Sequence, residues 1–345
     1  MADQEKMLAL VKTGRGPAAT QLREVLVPHA GPGQIRLHVT ATGICGTDLH
    51  LLHDEYPSAP PVVMGHEITG VVDEVGEGAD ADLLGKRVSL ETYGYVCGVC
   101  RFCRAGRTNL CPTRRSIGVH LDGGFAEYVV APEINAHVIA DDLPDEAGAL
   151  YEPLACVVNC LCDPAVASPG DSALVIGPGT IGLLAAQVLR AQGAQVLVVG
   201  TERDRPRLGV AVQLGFATTT SDDVDSLVPD TGMDVVAECS GSAPGLASGL
   251  RHVGRGGRFV QIGVFGKAVS AELDLLCLKE VTMSNGMAST PRSWRRTEQL
   301  VRDGAVQLSP LLSERLPLTN WSDAFSRTAA GDGVKFVLVP GSPGN

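Results

Sequence analysis

The alternation of apolar and polar positions changes its period along the chain. From Met7 to Val130, short runs such as Ile35–Val39, Ile68–Val75, Lys86–Leu90 and Phe125–Val130 are broken by Gly, Pro and Asp, which predicts an irregular, mainly β domain. From Ser172 the rhythm becomes strand, glycine turn, helix: a strand at Ala173–Ile176, a helix near Thr180–Gln192, and strands at Gln195–Val199, Asp234–Glu238, Arg258–Ile262 and Val281–Ser284. Repeated βαβ units predict a doubly wound parallel sheet. That pattern ends near Met287. A helix follows around Ser293–Asp303, then short strands and a helix near Asn320–Thr328. A tail this short cannot bury a core alone, so it is expected to complete the first domain, with the parallel-sheet domain inserted in the middle.

Composition agrees with this picture. A chain of 345 residues exceeds what one hydrophobic core serves, and 44% hydrophobic with 19% charged residues is globular usage. The net charge of -11 argues against a nucleic-acid or anionic-membrane surface. The start, Met1-Ala2-Asp3-Gln4-Glu5-Lys6, carries acidic residues where a secretory leader is basic. No segment reaches the roughly 20 apolar residues of a membrane span. A cytoplasmic, reducing location is therefore expected, in which the ten cysteines serve as thiols or metal ligands.

Four of them, Cys97, Cys100, Cys103 and Cys111, follow the spacing C-x2-C-x2-C-x7-C. Short gaps let successive thiolates turn inward onto one ion at about 2.3 Å, and four sulfurs leave no open position. Two disulfides or an iron–sulfur cluster share this spacing. The reducing compartment disfavours the first, and a closed four-thiolate site in a short loop suits structural zinc best.

A second constellation is dispersed. Cys45 stands in Gly43-Ile44-Cys45-Gly46-Thr47-Asp48-Leu49-His50, and His66-Glu67 opens the run Ile68–Val75. A thiolate, an imidazole and a carboxylate can hold zinc with room left for a substrate oxygen, which the metal would acidify. Taken singly, each residue is better read as packing or a solvated side chain; together they read as a site. A third signal, Gly177-Pro178-Gly179-Thr180-Ile181-Gly182, follows a strand and opens a helix. In that context the glycines allow pyrophosphate to approach the helix N-terminus. Glu202, at the end of the next strand, is placed to accept the adenosine ribose hydroxyls, which favours NAD over NADP. Arg203 and Arg205 beside it could instead neutralise a 2′-phosphate.

The strings Cys45–His50 and Gly65–Gly76, with the four-cysteine loop, resemble the zinc-dependent medium-chain dehydrogenase/reductase family over essentially the whole chain. The resemblance implies a GroES-like, mainly β catalytic domain over residues 1–155, a Rossmann domain over 156–290 and a C-terminal return over 291–345. It implies Cys45 and His66 as catalytic zinc ligands, Glu67 as ligand or near-ligand, and Cys97, Cys100, Cys103 and Cys111 around the second zinc. Thr47 and His50 resemble the family's proton relay; an exposed loop histidine is the plainer reading of His50. Where the ethanol-oxidising branch has a further cysteine, this chain reads Tyr151-Glu152-Pro153-Leu154-Ala155, and Glu152 resembles the sorbitol, polyol and threonine dehydrogenase branch. Cys156, Cys160 and Cys162 read as small apolar helix residues. Cys239–Gly241 and Gly256–Gly263 resemble the family's loops along the cofactor.

The expectation is therefore an enzyme: a homodimeric or homotetrameric, two-zinc dehydrogenase. It would pass hydride between NAD and a secondary hydroxyl of a polyol, cyclitol or sugar alcohol. His53, Tyr56 and Phe265 are expected to line the pocket. An amino alcohol is the nearer alternative substrate, and a non-catalytic, zinc-stabilised NAD-binding protein the more distant alternative.

Overall fold

The computed structural model describes residues 5–341, so the first four residues of the acidic start lie outside the described residues. The chain divides into two units, Met1–Glu152 with Leu312–Asn345, and Pro153–Leu311.

The first unit is mainly β. Its largest sheet runs Ala136–Val138, Arg87–Leu90, Glu67–Val75, Gln34–Gly43, Lys335–Val339, Leu312–Pro317, with Tyr128–Pro132 also paired to Gln34–Gly43. Alternating residues of these strands, Ile35, Leu37, Val39, Ile68, Val72, Val88 and Leu90, point into one core. A second core gathers Leu10, Ile44, Leu51, Met64, Phe125, Phe325 and Phe336 beneath the helix Gly46–Leu52. The tail thus supplies the strand Lys335–Val339, whose Val337 and Leu338 pair antiparallel with Gly43 and Thr42. This strand is built into the same sheet as the two strand ends that carry Cys45 and His66.

The second unit is a six-stranded parallel sheet ordered Ala217–Thr220, Gln195–Gly200, Ser172–Ile176, Met233–Glu238, Val253–Gln261, Thr282–Asn285. Near-continuous apolar strands are what a sheet covered on both faces requires, and Leu174, Ile176, Val199, Val236 and Phe259 are buried with Leu246 and Leu250 of the helix Ala243–His252. The fold class is that expected from the pattern.

The boundaries differ from those expected. The chain returns to the first unit at Leu312, not at 291. The helix Pro291–Arg302 stays with the parallel sheet because Trp294 is fully buried, its indole N–H donating to Ser289 Oγ at 3.0 Å. Gln307 N also donates to Gln187 Oε1 at 2.7 Å, and Gln187 lies on the helix Thr180–Ala191 of that unit. Burial of one tryptophan and a paired glutamine decided what apolar periodicity could not.

Candidate active site

The strand Gln34–Gly43 delivers Cys45 to the start of the helix Gly46–Leu52, where it is the extended N-cap residue. Its backbone N–H donates to Asp48 Oδ2 at 2.9 Å, and its sulfur accepts from the Asp48 amide, a reciprocal cap. Thr47 and His50 share one face of this short helix, three residues apart. His50 Nδ1 lies 2.6 Å from Glu55 Oε2, so the imidazole is joined to a carboxylate at the surface.

His66 and Glu67, at the head of the strand Glu67–Val75, are buried, and their ligand atoms lie with Cys45 Sγ inside a group spanning no more than 4.8 Å. His66 Nδ1 is 3.5 Å from Asp48 Oδ1, and each of these two buried atoms is otherwise without a hydrogen-bond partner. Burial, the largest influence on the imidazole, disfavours its charge, but Asp48 and Cys45 outweigh it and raise its pKa well above the usual value. This donor set fits a metal ion. Ligation through the other ring nitrogen would fix the Nδ1–H toward Asp48, the carboxylate–histidine arrangement common behind zinc ligands.

Glu67 is held by a residue from the other end of the chain. Lys335 Nζ donates to Glu67 Oε1 at 2.8 Å and Oε2 at 2.5 Å, and to the Ile44 carbonyl at 2.9 Å. Both side chains are at most 3% exposed. The backbone comes so close that a Cβ on Gly43 would lie 2.0 Å from Glu67 Oε2, so only glycine fits there. Glu152 is 5% exposed at the first turn of the helix Tyr151–Leu161 and lies outside the Cys45–His66–Glu67 group.

Asp48 and Lys335 escaped the sequence reading. Asp48 was visible only as part of the Cys45–His50 string. Lys335 left one signal, a lysine at the head of the apolar run Phe336–Val339, where a buried cation needs a buried anion.

The four-cysteine loop forms as its spacing predicts. The Sγ atoms of Cys97, Cys100, Cys103 and Cys111 lie within 4.8 Å of one another. Backbone amides turn onto the sulfurs, Cys97 N to Cys111 Sγ at 3.4 Å and Cys100 N to Cys97 Sγ at 3.3 Å. The amide of Cys97 pulls the Cys111 thiol down to about 6, while burial and the Cys100 sulfur push Cys103 up to about 12. Four sulfurs cannot all deprotonate side by side without a cation, and a divalent ion removes that opposition.

In the second unit Gly177 has φ +99°, and a Cβ on it would lie 2.9 Å from the Ser240 backbone. A Cβ on Gly182 would lie 1.8 Å from the Gly177 carbonyl. These two glycines are required by the turn itself. Gly179 is different: it is the N-cap of the helix Thr180–Ala191, carries no side-chain cap, and has open space where a Cβ would be. Thr180, Ile181 and Gly182 form the first turn beyond it, a fit for an anion. Glu202 and Arg203 follow the strand Gln195–Gly200, both exposed. Glu202 is occupied by Arg205, whose Nε and Nη2 lie 2.5 and 2.8 Å from its two oxygens.

The class these features describe is a metal-dependent, dinucleotide-linked dehydrogenase, and the comparisons with known proteins agree. Residues 31–141 match the alcohol dehydrogenase GroES-like domain and residues 180–303 the zinc-binding dehydrogenase domain. The chain is 34% identical to the sorbitol dehydrogenase of Halalkalibacterium halodurans, with 97% of this chain and 99% of that one covered. It is 33% identical to the L-threonine 3-dehydrogenase of Thermococcus kodakarensis, with the same coverage. A Sinorhizobium meliloti 1021 structure bound to NADP superposes with a TM-score of 0.89 at 36% identity, over 98% of this chain and 100% of that one. The chain belongs to the zinc-dependent medium-chain alcohol dehydrogenase family. It is a zinc-containing, NAD(P)-dependent enzyme acting on small-molecule alcohols. Among the described residues no helix is long and apolar enough to cross a membrane.

Proposed function

We propose that the enzyme oxidises a secondary hydroxyl of a polyol, cyclitol or sugar alcohol with NAD, at a catalytic zinc held by Cys45 and His66 with Glu67 beside it. The observation that carries this reading is the Cys45–His66–Glu67 group, its imidazole and carboxylate buried and backed by Asp48 and Lys335. When bound, zinc supplies Lewis acidity toward the substrate hydroxyl and the dinucleotide supplies the hydride acceptor. Asp48 orients the imidazole, and Lys335 holds the Glu67 carboxylate in place. The Thr47 hydroxyl relays the substrate proton, taking it up as it gives its own toward His50, which, joined to Glu55, releases a proton to solvent. Glu152 is a further carboxylate for the metal or the substrate hydroxyls, buried in the same unit.

Cys97, Cys100, Cys103 and Cys111 hold a structural zinc, kept reduced by a cytoplasmic location. Gly179, Thr180, Ile181 and Gly182 take the pyrophosphate. Glu202 takes the ribose once Arg205 yields it, with Arg203 alongside. The NADP in the Sinorhizobium meliloti structure makes the choice of cofactor worth testing directly. Glu202→Ala should raise KM for NAD about tenfold and lower that for NADP, the effect of losing one charge-assisted acceptor. Similarity to a threonine dehydrogenase supports an amino alcohol as the second substrate class. The exposed edge strand Thr282–Asn285, with Met283 and Met287 each 42% exposed, supports a homodimer or a tetramer of such dimers. The test is a panel of polyols, cyclitols and amino alcohols with NAD and NADP, read at NAD(P)H absorbance. Turnover confined to amino alcohols overturns the polyol reading, and no turnover with any alcohol overturns the catalytic one.

A further inference from the structure

The strand Met233–Glu238 lies beside the strand that leads into the glycine turn, and its C-terminal residue is a fully buried carboxylate that the chemistry above does not use. Among the described residues, the donors that reach it are all uncharged. Glu238 Oε1 accepts from Ser240 N at 2.9 Å and from Ser240 Oγ; Oε2 accepts from Gly241 N at 3.1 Å and Gln261 Nε2 at 2.6 Å. Its own carbonyl accepts from Ile262 N and Gly263 N, both at 2.9 Å. One residue thus gathers six hydrogen bonds from two separate loops.

Those loops are in contact with each other and with the glycine turn. A Cβ on Gly263 would lie 2.2 Å from Gly241 N and 2.8 Å from Glu238 Oε2. The Ser240 backbone is the wall that excludes a Cβ at Gly177. Gln261 adds a cross-tie, its Nε2 donating to the Gly263 carbonyl at 2.8 Å as well as to Glu238. Both contacts of that nitrogen are acceptors, so the amide orientation is set by the network.

Burying a carboxylate without a cation is costly, and hydrogen bonds to its charged form are what offset the cost. Glutamine, equal in size, cannot replace it here. Its oxygen can satisfy only one side of the site, and its NH2 then faces donors on the other.

We infer that Glu238 is a positioning residue for the dinucleotide: it locks the loops 239–241 and 261–263 against the glycine turn in the arrangement that receives the cofactor. The inference rests on the assignment of that turn to the dinucleotide in the proposed function. It assigns the unusual cost of a buried, cation-free carboxylate to preorganisation, since loops already ordered lose less freedom when the ligand binds.

The test is titration of zinc-loaded, full-length wild type, Glu238→Gln and Gln261→Met with NADH and NADPH by calorimetry, alongside steady-state kinetics. Glu238→Gln should raise the dissociation constant and KM of the dinucleotide about tenfold, the effect of one buried donor left unsatisfied, with KM for the alcohol changed less than about twofold. Gln261→Met, which deletes only the cross-tie, should raise both dinucleotide constants about threefold, and it carries the test if Glu238→Gln does not fold. Folded variants that bind the dinucleotide as wild type does, with only a lower thermal midpoint, overturn the inference and leave the proposed function standing. Wild type that binds neither NADH nor NADPH overturns the proposed function and the inference with it.

Discussion

Lys335→Met should destabilise the first unit far more than a typical surface substitution, because it strands a charge. Lys335 and Glu67 are 3% and 1% exposed, their contacts are 2.8 and 2.5 Å, and the Gly43 backbone closes one side of the carboxylate. Removing one partner of a buried pair costs about 3–5 kcal/mol, most of it from the uncompensated charge left behind. For a unit of this size each kcal/mol moves the midpoint by about 2–4 °C, so the loss should be roughly 6–20 °C. Differential scanning calorimetry of wild type and variant in the same chelator reads this directly, since both lose their metals alike. Added zinc should restore part of the loss in the variant, because Glu67 then has another cation within reach. Glu67→Leu combined with Lys335→Met should be more stable than Lys335→Met alone, since it removes the stranded charge. A loss under about 1 kcal/mol, or a double variant no better than the single one, would refute the reasoning.

Three further outcomes follow from other parts of the molecule. Cys103→Ser should release one zinc per chain, measured by elemental analysis, and expose the loop 97–111 to limited proteolysis, because a closed four-sulfur site folds with its metal. Lys12, buried, pairs with Asp54 at 2.8 Å, and this together with the Gly16 amide lowers the Asp54 pKa. A depressed carboxylate stabilises the fold above its unfolded value near 3.9 and loses that contribution as the pH falls through the folded value. Thermal midpoints should therefore fall more steeply below about pH 4 in wild type than in Asp54→Asn, and parallel curves would contradict it. Met283→Lys on the exposed edge strand should lower the molar mass seen by light scattering if that edge pairs between copies, and an unchanged mass would place the contact elsewhere.

The features legible in the sequence are those written in adjacent residues. Four cysteines within fifteen positions and a glycine turn between a strand and a helix carry their geometry locally, and the structure forms both at the expected residues. The strand–helix alternation likewise announced the parallel sheet. What escaped depends on the path of the chain. Lys335 meets Glu67 across 268 positions, through a strand pairing that no local pattern encodes. Asp48 was only one residue of the Cys45–His50 string until the fold set it beside His66, and Glu238 only the end of a strand until two loops closed on it. The return point at Leu312 was misplaced because an amphipathic helix such as Pro291–Arg302 does not say which sheet it covers.

The proposed function puts a catalytic zinc at Cys45, distinct from the four-cysteine one. It is tested most directly by zinc content and polyol-dependent NAD(P) reduction in wild type and Cys45→Ala. Wild type should hold about two zinc ions per chain. The variant should hold about one, with an unchanged circular dichroism spectrum and turnover reduced by at least about a thousandfold. A wild type that binds one zinc, or a Cys45→Ala protein that keeps wild-type turnover, would contradict it.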